Sequence, residues 1–347
     1  MGGPPARTIG FIPLRERRTV ILRATPRLAL LALGAAFAAV FVLGCGREGS
    51  DESDGPSATS GAQLSGRIQV DGSSTVGPLV QTAAQRFRQE QPDVDVTVGI
   101  SGTGGGFERF CAGETDISDA SRPINEDEEA PVCKKNGVGY TEIQVATDAL
   151  TVVVNSENDW VDCLTVDQLK KMWEPKAEGN VTSWADIDPS FPDEELLLAG
   201  PGTDSGTFDY FTDEIVGEEG ASRSDYQPSE NDNVTVQAVT GERGGLGYFG
   251  FSYYEQNQET LKAVAVDSGN GCVEPSIQTA QSGDYRPLSR PLFIYVKNEA
   301  MQRPEVAGFV DYIVGNAQTI AEEALFVPLN EEQLADSKAK VEQATRA

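Results

Sequence analysis

Apolar residues recur along this chain with two distinct periods. Val94, Val96, Val98 and Ile100 alternate with polar residues, as in a half-buried strand, whereas Val76, Leu79, Val80, Ala83, Ala84 and Phe87 follow the spacing of a helix that Pro92 stops. A short strand at 67–70 precedes that helix, and Phe107, Phe110 and Cys111 mark one face of a second one. The stretch 144–155, ending in DALTVVVN, is the most strand-like run in the chain. Beyond it the pattern predicts a helix at 166–173, a strand at 196–199 and a helix marked by Phe208, Phe211 and Ile215. A glycine-rich strand and tight turn at 244–250, a strand at 292–296 and two closing helices near 305–314 and 331–344 complete the series. Strand, polar loop and helix alternate, which predicts an α/β architecture of mixed sheets flanked by helices. The runs at 148–155 and 289–296 are suited to cross between two lobes.

The N-terminus breaks this pattern. A basic segment at 15–27 is followed by a nearly unbroken apolar run at 28–43 and then by Val42-Leu43-Gly44-Cys45. The run is short for a membrane span, and basic, apolar and small-residue regions in that order describe an export signal. The tetrapeptide resembles a bacterial lipobox, which implies cleavage before Cys45 and lipid attachment to its thiol. Residues 45–65 are rich in Gly, Ser, Asp and Glu and have little to bury, so they read as a flexible tether.

Charge then narrows the function. The 347-residue chain carries a formal net charge of −27, and because residues 1–44 hold six arginines and one acid, the remainder stands near −32. Such a surface has no basic surplus with which to displace counterions from nucleic acid. The chain has no histidine, which removes histidine-based nucleophilic catalysis and imidazole metal sites. Besides Cys45 there are four cysteines, Cys111, Cys133, Cys163 and Cys272, without a CxxC pair, so no metal and no cofactor are expected. Three disulfide pairings are possible. If the lobes divide near residues 146 and 287, Cys111–Cys133 and Cys163–Cys272 each stay within one lobe.

Three loops carry the candidate chemistry. Asp71-Gly72-Ser73-Ser74-Thr75 precedes the first helix, GISGTGGGFERF at 99–110 precedes the second, and Gly202-Thr203-Asp204-Ser205-Gly206-Thr207 precedes a third. Hydroxyls and bare backbone amides converging at helix starts suit one oxyanion held from several sides. A fourth passage, residues 116–124, presents Ser121 and Arg122. Arg122 is either the fixed positive charge at the anion or a surface arginine paired with one of the acids at 126–129.

Taken in order, DGSSTVGPL (71–79), SGTGGGF (101–107), SDASRPI (118–124), DALTVVVN (148–155) and TDSGTF (203–208) resemble the PstS family, the phosphate-binding proteins of Pst-type ABC transporters. The likeness covers roughly residues 66–330. It implies a two-lobed periplasmic-binding-protein type II fold with two crossing segments, with lobe one formed by 66–147 and 288–347 and lobe two by 148–287. It further implies that Ser74, the Thr75 hydroxyl and the amides of Thr75 and Val76 hold phosphate. Ser101 or Thr103 supplies the second-loop hydroxyl, and Ser205, Gly206 and Thr207 contribute from lobe two.

Two departures stand out. The family places an arginine four residues before its Ser-Gly-Thr, where this chain has Pro201, and an aspartate after the lobe-one serine, where Arg122 follows Ser121. The carboxylate that accepts the phosphate proton is then sought at Asp119 or Asp204, with Asp71 third. The resulting expectation is a monomeric, exported lipoprotein on the outer face of a bacterial cytoplasmic membrane. It would close its lobes over inorganic phosphate and deliver it to the permease subunits of an ABC importer. Alternatives are the same fold serving another oxyanion such as sulfate, a phosphate sensor, or a hydrolase using Ser74 or Ser205 as nucleophile.

Overall fold

The computed structural model describes residues 63–346. Among these, the strands in chain order are β1 (Ser65–Gly72), β2 (Asp93–Ile100), β3 (Ile117–Ala120), β4 (Tyr140–Asn155), β5 (Cys163–Thr165), β6 (Leu197–Gly200), β7 (Gln227–Pro228), β8 (Gly245–Gly250), β9 (Leu261–Ala263), β10 (Ala265–Asp267), β11 (Cys272–Val273) and β12 (Ser289–Lys297). A nine-stranded mixed sheet runs β2-β1-β3-β12-β4-β8-β6-β7, with β9 also pairing β4, and β11-β10-β5 form a small second sheet. The signal segment, Cys45 and the tether up to residue 62 lie outside the described residues. The last of the predicted tether, Ser65, instead opens β1, because all of Ser65–Gly72 pairs in parallel with Asp93–Ile100. None of the described helices is long and apolar enough to cross a membrane.

The helices that matter here are α1 (Gly77–Glu90), α2 (Gly102–Cys111), α3 (Glu129–Lys135), α4 (Val166–Trp173), α5 (Trp184–Ile187) and α6 (Gly206–Phe211). Helix α1 buries the predicted stripe Leu79, Val80, Ala83 and Phe87. Burying each of the larger of these side chains contributes about 1.5–3 kcal/mol relative to exposure. Helix α4 forms as its period predicts, and its start is fixed by a capping box between Thr165 and Gln168. The helix marked by Phe208, Phe211 and Ile215 departs from regularity: α6 passes into a π-helical turn, Thr212–Val216, where the Thr212 hydroxyl donates to the Phe208 and Asp209 carbonyls.

The two largest hydrophobic cores among the described residues are separate. One gathers Ile68, Val70, Val80, Ile143, Val145, Ile294, Val310 and their neighbours, and the other gathers Val152, Leu169, Trp173, Trp184, Phe211, Tyr248 and theirs. Strand β4 belongs to both. Its first half pairs antiparallel with β12 and its second half with β8 and β9. Running from one core into the next, the strand is buried throughout 145–155, its polar residues Thr147, Asp148, Thr151 and Asn155 included. The cysteines pair as Cys111–Cys133 and Cys163–Cys272.

The glycine run is placed differently from expectation. Gly104, Gly105 and Gly106 lie inside the first turns of α2 and not in a loop ahead of it. Within this stretch it is Gly102, the first residue of α2, that takes a left-handed backbone, at φ +77°. Gly106 is glycine for packing: a Cβ there would sit 2.5 Å from the Gly72 Cα and 2.8 Å from the Asp71 carbonyl oxygen, so α2 could not rest on β1.

Candidate functional site

The C-terminal ends of β1, β2 and β3 lie side by side, so the loops that leave them open into one cleft. Ser73, Ser74, Thr75, Ser101, Thr103, Ser121 and Arg122 line it, together with the backbone of residues 102–105. The opposite wall is Gly206, Asp209, Tyr210, Asp213, Glu214 and Glu219, and Arg290 and Pro291 form part of the lining. The two walls touch: a Cβ on Gly206 would come within 2.7 Å of the Thr75 hydroxyl and 3.1 Å of the Ser74 hydroxyl. Only glycine lets the second lobe approach the first loop this closely.

Within the first loop, the Ser73 hydroxyl accepts from the amides of Thr75 (3.1 Å) and Val76 (3.3 Å). This side chain closes the first loop on itself just ahead of α1. The Ser101 hydroxyl donates to Asp71 at 2.5 Å, and Arg109 pairs with the other oxygen of that carboxylate. Thr103 and Ser121 share a hydroxyl–hydroxyl bond of 3.1 Å, and the Ser121 amide donates to the Thr103 hydroxyl at 3.2 Å.

Arg290 is the cation that sequence reasoning missed. It stands on β12 opposite Asp148 of β4. Its Nε donates to the Asp148 carboxylate at 3.3 Å, one terminal nitrogen donates to the Thr75 hydroxyl at 3.0 Å, and the guanidinium lies 3.5 Å above the Tyr210 ring. The Tyr210 hydroxyl is itself held by the Pro287 carbonyl at 2.6 Å. A guanidinium has five N–H groups, so donors remain beyond the two used here. Burial pushes the Asp148 carboxyl up, against the opposing pull of Arg290. A signal existed in the sequence, since opposite charges stand at the starts of the two predicted crossings, but only the antiparallel register brings them together.

Comparison with known proteins places this geometry in a lineage. Residues 57–317 match the family model described as a PBP superfamily domain. Over 279 residues the chain is 49% identical to Protein SphX of Synechocystis, covering 80% of this chain and 83% of that one. It is 38% identical to the phosphate-binding protein PstS of Staphylococcus saprophyticus, covering 80% and 85% of the two chains. The chain belongs to the PstS family of the PBP superfamily. The crystal structure of a "possible phosphate binding protein" from Planctomyces limnophilus superposes with a TM-score of 0.77 at 44% identity, covering 81% of this chain and 99% of that one. The fold is thus the two-lobed α/β fold of the PstS family.

Against the family's implied ligands, the structure brings Ser74, Thr75, Ser101, Thr103, Ser121, Arg122 and Gly206 to one cleft. Val76 is buried, and its amide and that of Thr75 are taken by Ser73. Ser205 caps α6 by accepting from the Thr207 amide at 3.2 Å, and neither residue is among those lining the cleft. Asp204 is exposed beside Glu230, away from the lining. Arg122 lines the cleft but is engaged elsewhere, in a two-pronged pair with Glu129 at 2.8 and 2.9 Å. Glu129 can reach it because α3 begins there. The carboxylates that do line the cleft are Asp209, Asp213, Glu214 and Glu219, and burial pushes Asp209 and Glu214 up from the usual carboxylate range.

Asp119 lies beneath the first loop, fully buried, with neither carboxylate oxygen hydrogen-bonded. Burial raises it from 3.8 to about 8; the nearby Ser73 amide opposes the rise and the charge of Asp71 adds to it. An acid with a higher pKa folded than unfolded holds its proton more tightly when folded. Between pH 3.8 and about 8 the folded state therefore binds more protons, and stability falls as pH rises through that window. Asp119→Asn should flatten this decline and melt above the wild type at the alkaline end. Melting temperatures measured across the range test it, and parallel curves for the two proteins would refute it.

Proposed function

We propose that this protein captures inorganic phosphate in the cleft between its lobes and hands it to the permease subunits of an ABC importer. The observation that carries the reading is the convergence of the Ser74, Thr75, Ser101, Thr103 and Ser121 hydroxyls with Arg290 in one cleft. Membership of the PstS family supports the ligand. Hydroxyl and guanidinium donors suit a tetrahedral oxyanion, and in a partly dry cleft a charge-assisted contact contributes about 1.5–3 kcal/mol. The surrounding acidic protein repels anions at long range, so affinity must come from these short contacts.

The lobes joined by β4 and β12 would rock about those strands, with bound anion favouring the closed form through contacts from both sides. Export and anchoring through Cys45 would hold the protein at the outer face of the membrane, within reach of the permease. Binding without turnover is the activity proposed.

Calorimetric titration tests this reading. Phosphate should bind with one-to-one stoichiometry, and sulfate at least about 10³-fold more weakly, because an acceptor facing an unprotonated sulfate oxygen costs several kcal/mol in a closed site. Sulfate binding within tenfold of phosphate would reopen the choice of oxyanion.

A further inference from the structure

The cleft's hydroxyls are not equivalent, because what stands behind each decides what it can offer in front. Arg290 donates to the Thr75 hydroxyl at 3.0 Å, which occupies a lone pair and leaves the Thr75 proton for a ligand. Ser101 has the reverse arrangement. Its proton is committed to Asp71 at 2.5 Å, and Arg109 holds the other oxygen of that carboxylate, so Asp71 acts as an acceptor on both sides. What Ser101 can still present to the cleft is a lone pair.

The arrangement is built into the sheet. Asp71 is buried at the end of β1, and the parallel register sets it beside Gly99 of β2. A Cβ on Gly99 would lie 2.4 Å from the nearer Asp71 oxygen, so glycine there lets the carboxylate lie across β2 toward Ser101. The Ser101 amide is held by the Gly72 carbonyl at 3.1 Å, which fixes the residue over the same strand end.

We propose that Asp71 turns the Ser101 hydroxyl into the acceptor for the proton of bound phosphate, so that this pair selects a protonated tetrahedral oxyanion. The proposal rests on the phosphate reading above. Ser101 is the specificity-determining contact and Asp71 the positioning residue behind it. The pair does this without placing a negative charge against the anion, as Asp119 or Asp204 in direct contact would.

Monofluorophosphate provides the probe. It matches hydrogen phosphate in charge and nearly in size, but carries fluorine where the other ion carries its hydroxyl, so it has no proton to give. At mildly alkaline pH, where hydrogen phosphate predominates, the wild-type protein should bind phosphate at least about tenfold more tightly than fluorophosphate, the scale of one hydrogen bond in a dry site. In Asp71→Asn the amide oxygen must face Arg109, so the amide nitrogen faces Ser101 and turns its hydroxyl outward as a donor. The preference should then shrink by about tenfold, with fluorophosphate binding retained or improved.

Ser101→Ala should narrow the ratio too. It removes an exposed side chain and so decides the matter if Asp71→Asn fails to fold. Equal affinity of the wild type for both ions overturns the proposal. So does an undiminished preference in the variants, which would assign the acceptor to the carboxylates of the opposite wall. A wild-type protein that binds neither ion fails at the earlier step and removes the phosphate reading together with this one.

Discussion

Arg290→Met is expected to weaken phosphate binding by roughly one to two powers of ten, since a charge-assisted contact worth about 1.5–3 kcal/mol disappears and each 1.4 kcal/mol is a decade. It should also destabilise the fold. Removing Arg290 leaves the buried Asp148 carboxylate without its partner, and breaking such a pair from one side typically costs about 3–5 kcal/mol. Protonation of Asp148, whose carboxyl burial already pushes up, should relieve part of that cost at acid pH.

The double variant Arg290→Met/Asp148→Asn separates the two effects. It removes both charges, so urea denaturation should show most of the stability restored while calorimetry shows the affinity still lost. By contrast, Arg122→Ala should cost tenfold or less, because its half-exposed side chain is already paired with Glu129 and such pairs contribute about 0–1 kcal/mol. An Arg290→Met protein that binds phosphate as tightly as the wild type, with Arg122→Ala the damaging change, would reverse the assignment.

The second large effect concerns the staples. Cys163 and Cys272 are separated by 109 residues and Cys111 and Cys133 by 22. Chain entropy alone assigns about 4.8 kcal/mol to a closed loop of the first size and about 3.4 to the second. Cys163→Ala/Cys272→Ala should therefore lower the unfolding free energy by about 3–5 kcal/mol, chiefly by releasing the unfolded chain. Phosphate affinity of the folded fraction should be unchanged, since neither cysteine lines the cleft. A loss below about 1 kcal/mol in urea denaturation would show that the denatured state is already constrained without this bond.

What the sequence reveals depends on whether the physics is local. The stripe from Leu79 to Phe87, the alternation in β2 and the apolar run of β4 are local patterns, and each forms where it is read. That Ser74, Thr75, Ser101 and Thr103 share a cleft is also legible, because the loops that carry them leave neighbouring strand ends. Arg290 is not. Its meaning depends on the pairing of β12 with β4, which sets it against Asp148, and on Tyr210 arriving from a third element.

The acidic wall of Asp209, Asp213, Glu214 and Glu219 is hidden for the same reason, and the π-helical turn that carries Asp213 and Glu214 has no simple periodic signature. Ser73 passes unnoticed next to Ser74, although it takes the two amides assigned to the ligand. For Arg122 the sequence leaves two partners open, the anion or an acid at 126–129. The structure seats it on Glu129.

The most direct test of the account is a crystal structure of the protein grown with phosphate. One tetrahedral anion is expected in the cleft, within hydrogen-bonding distance of Arg290, of Thr75 and Ser101 from the first lobe, and of the second-lobe wall at Gly206. Phosphate bound outside this cleft, or held by one lobe with Arg290 turned away, would contradict it.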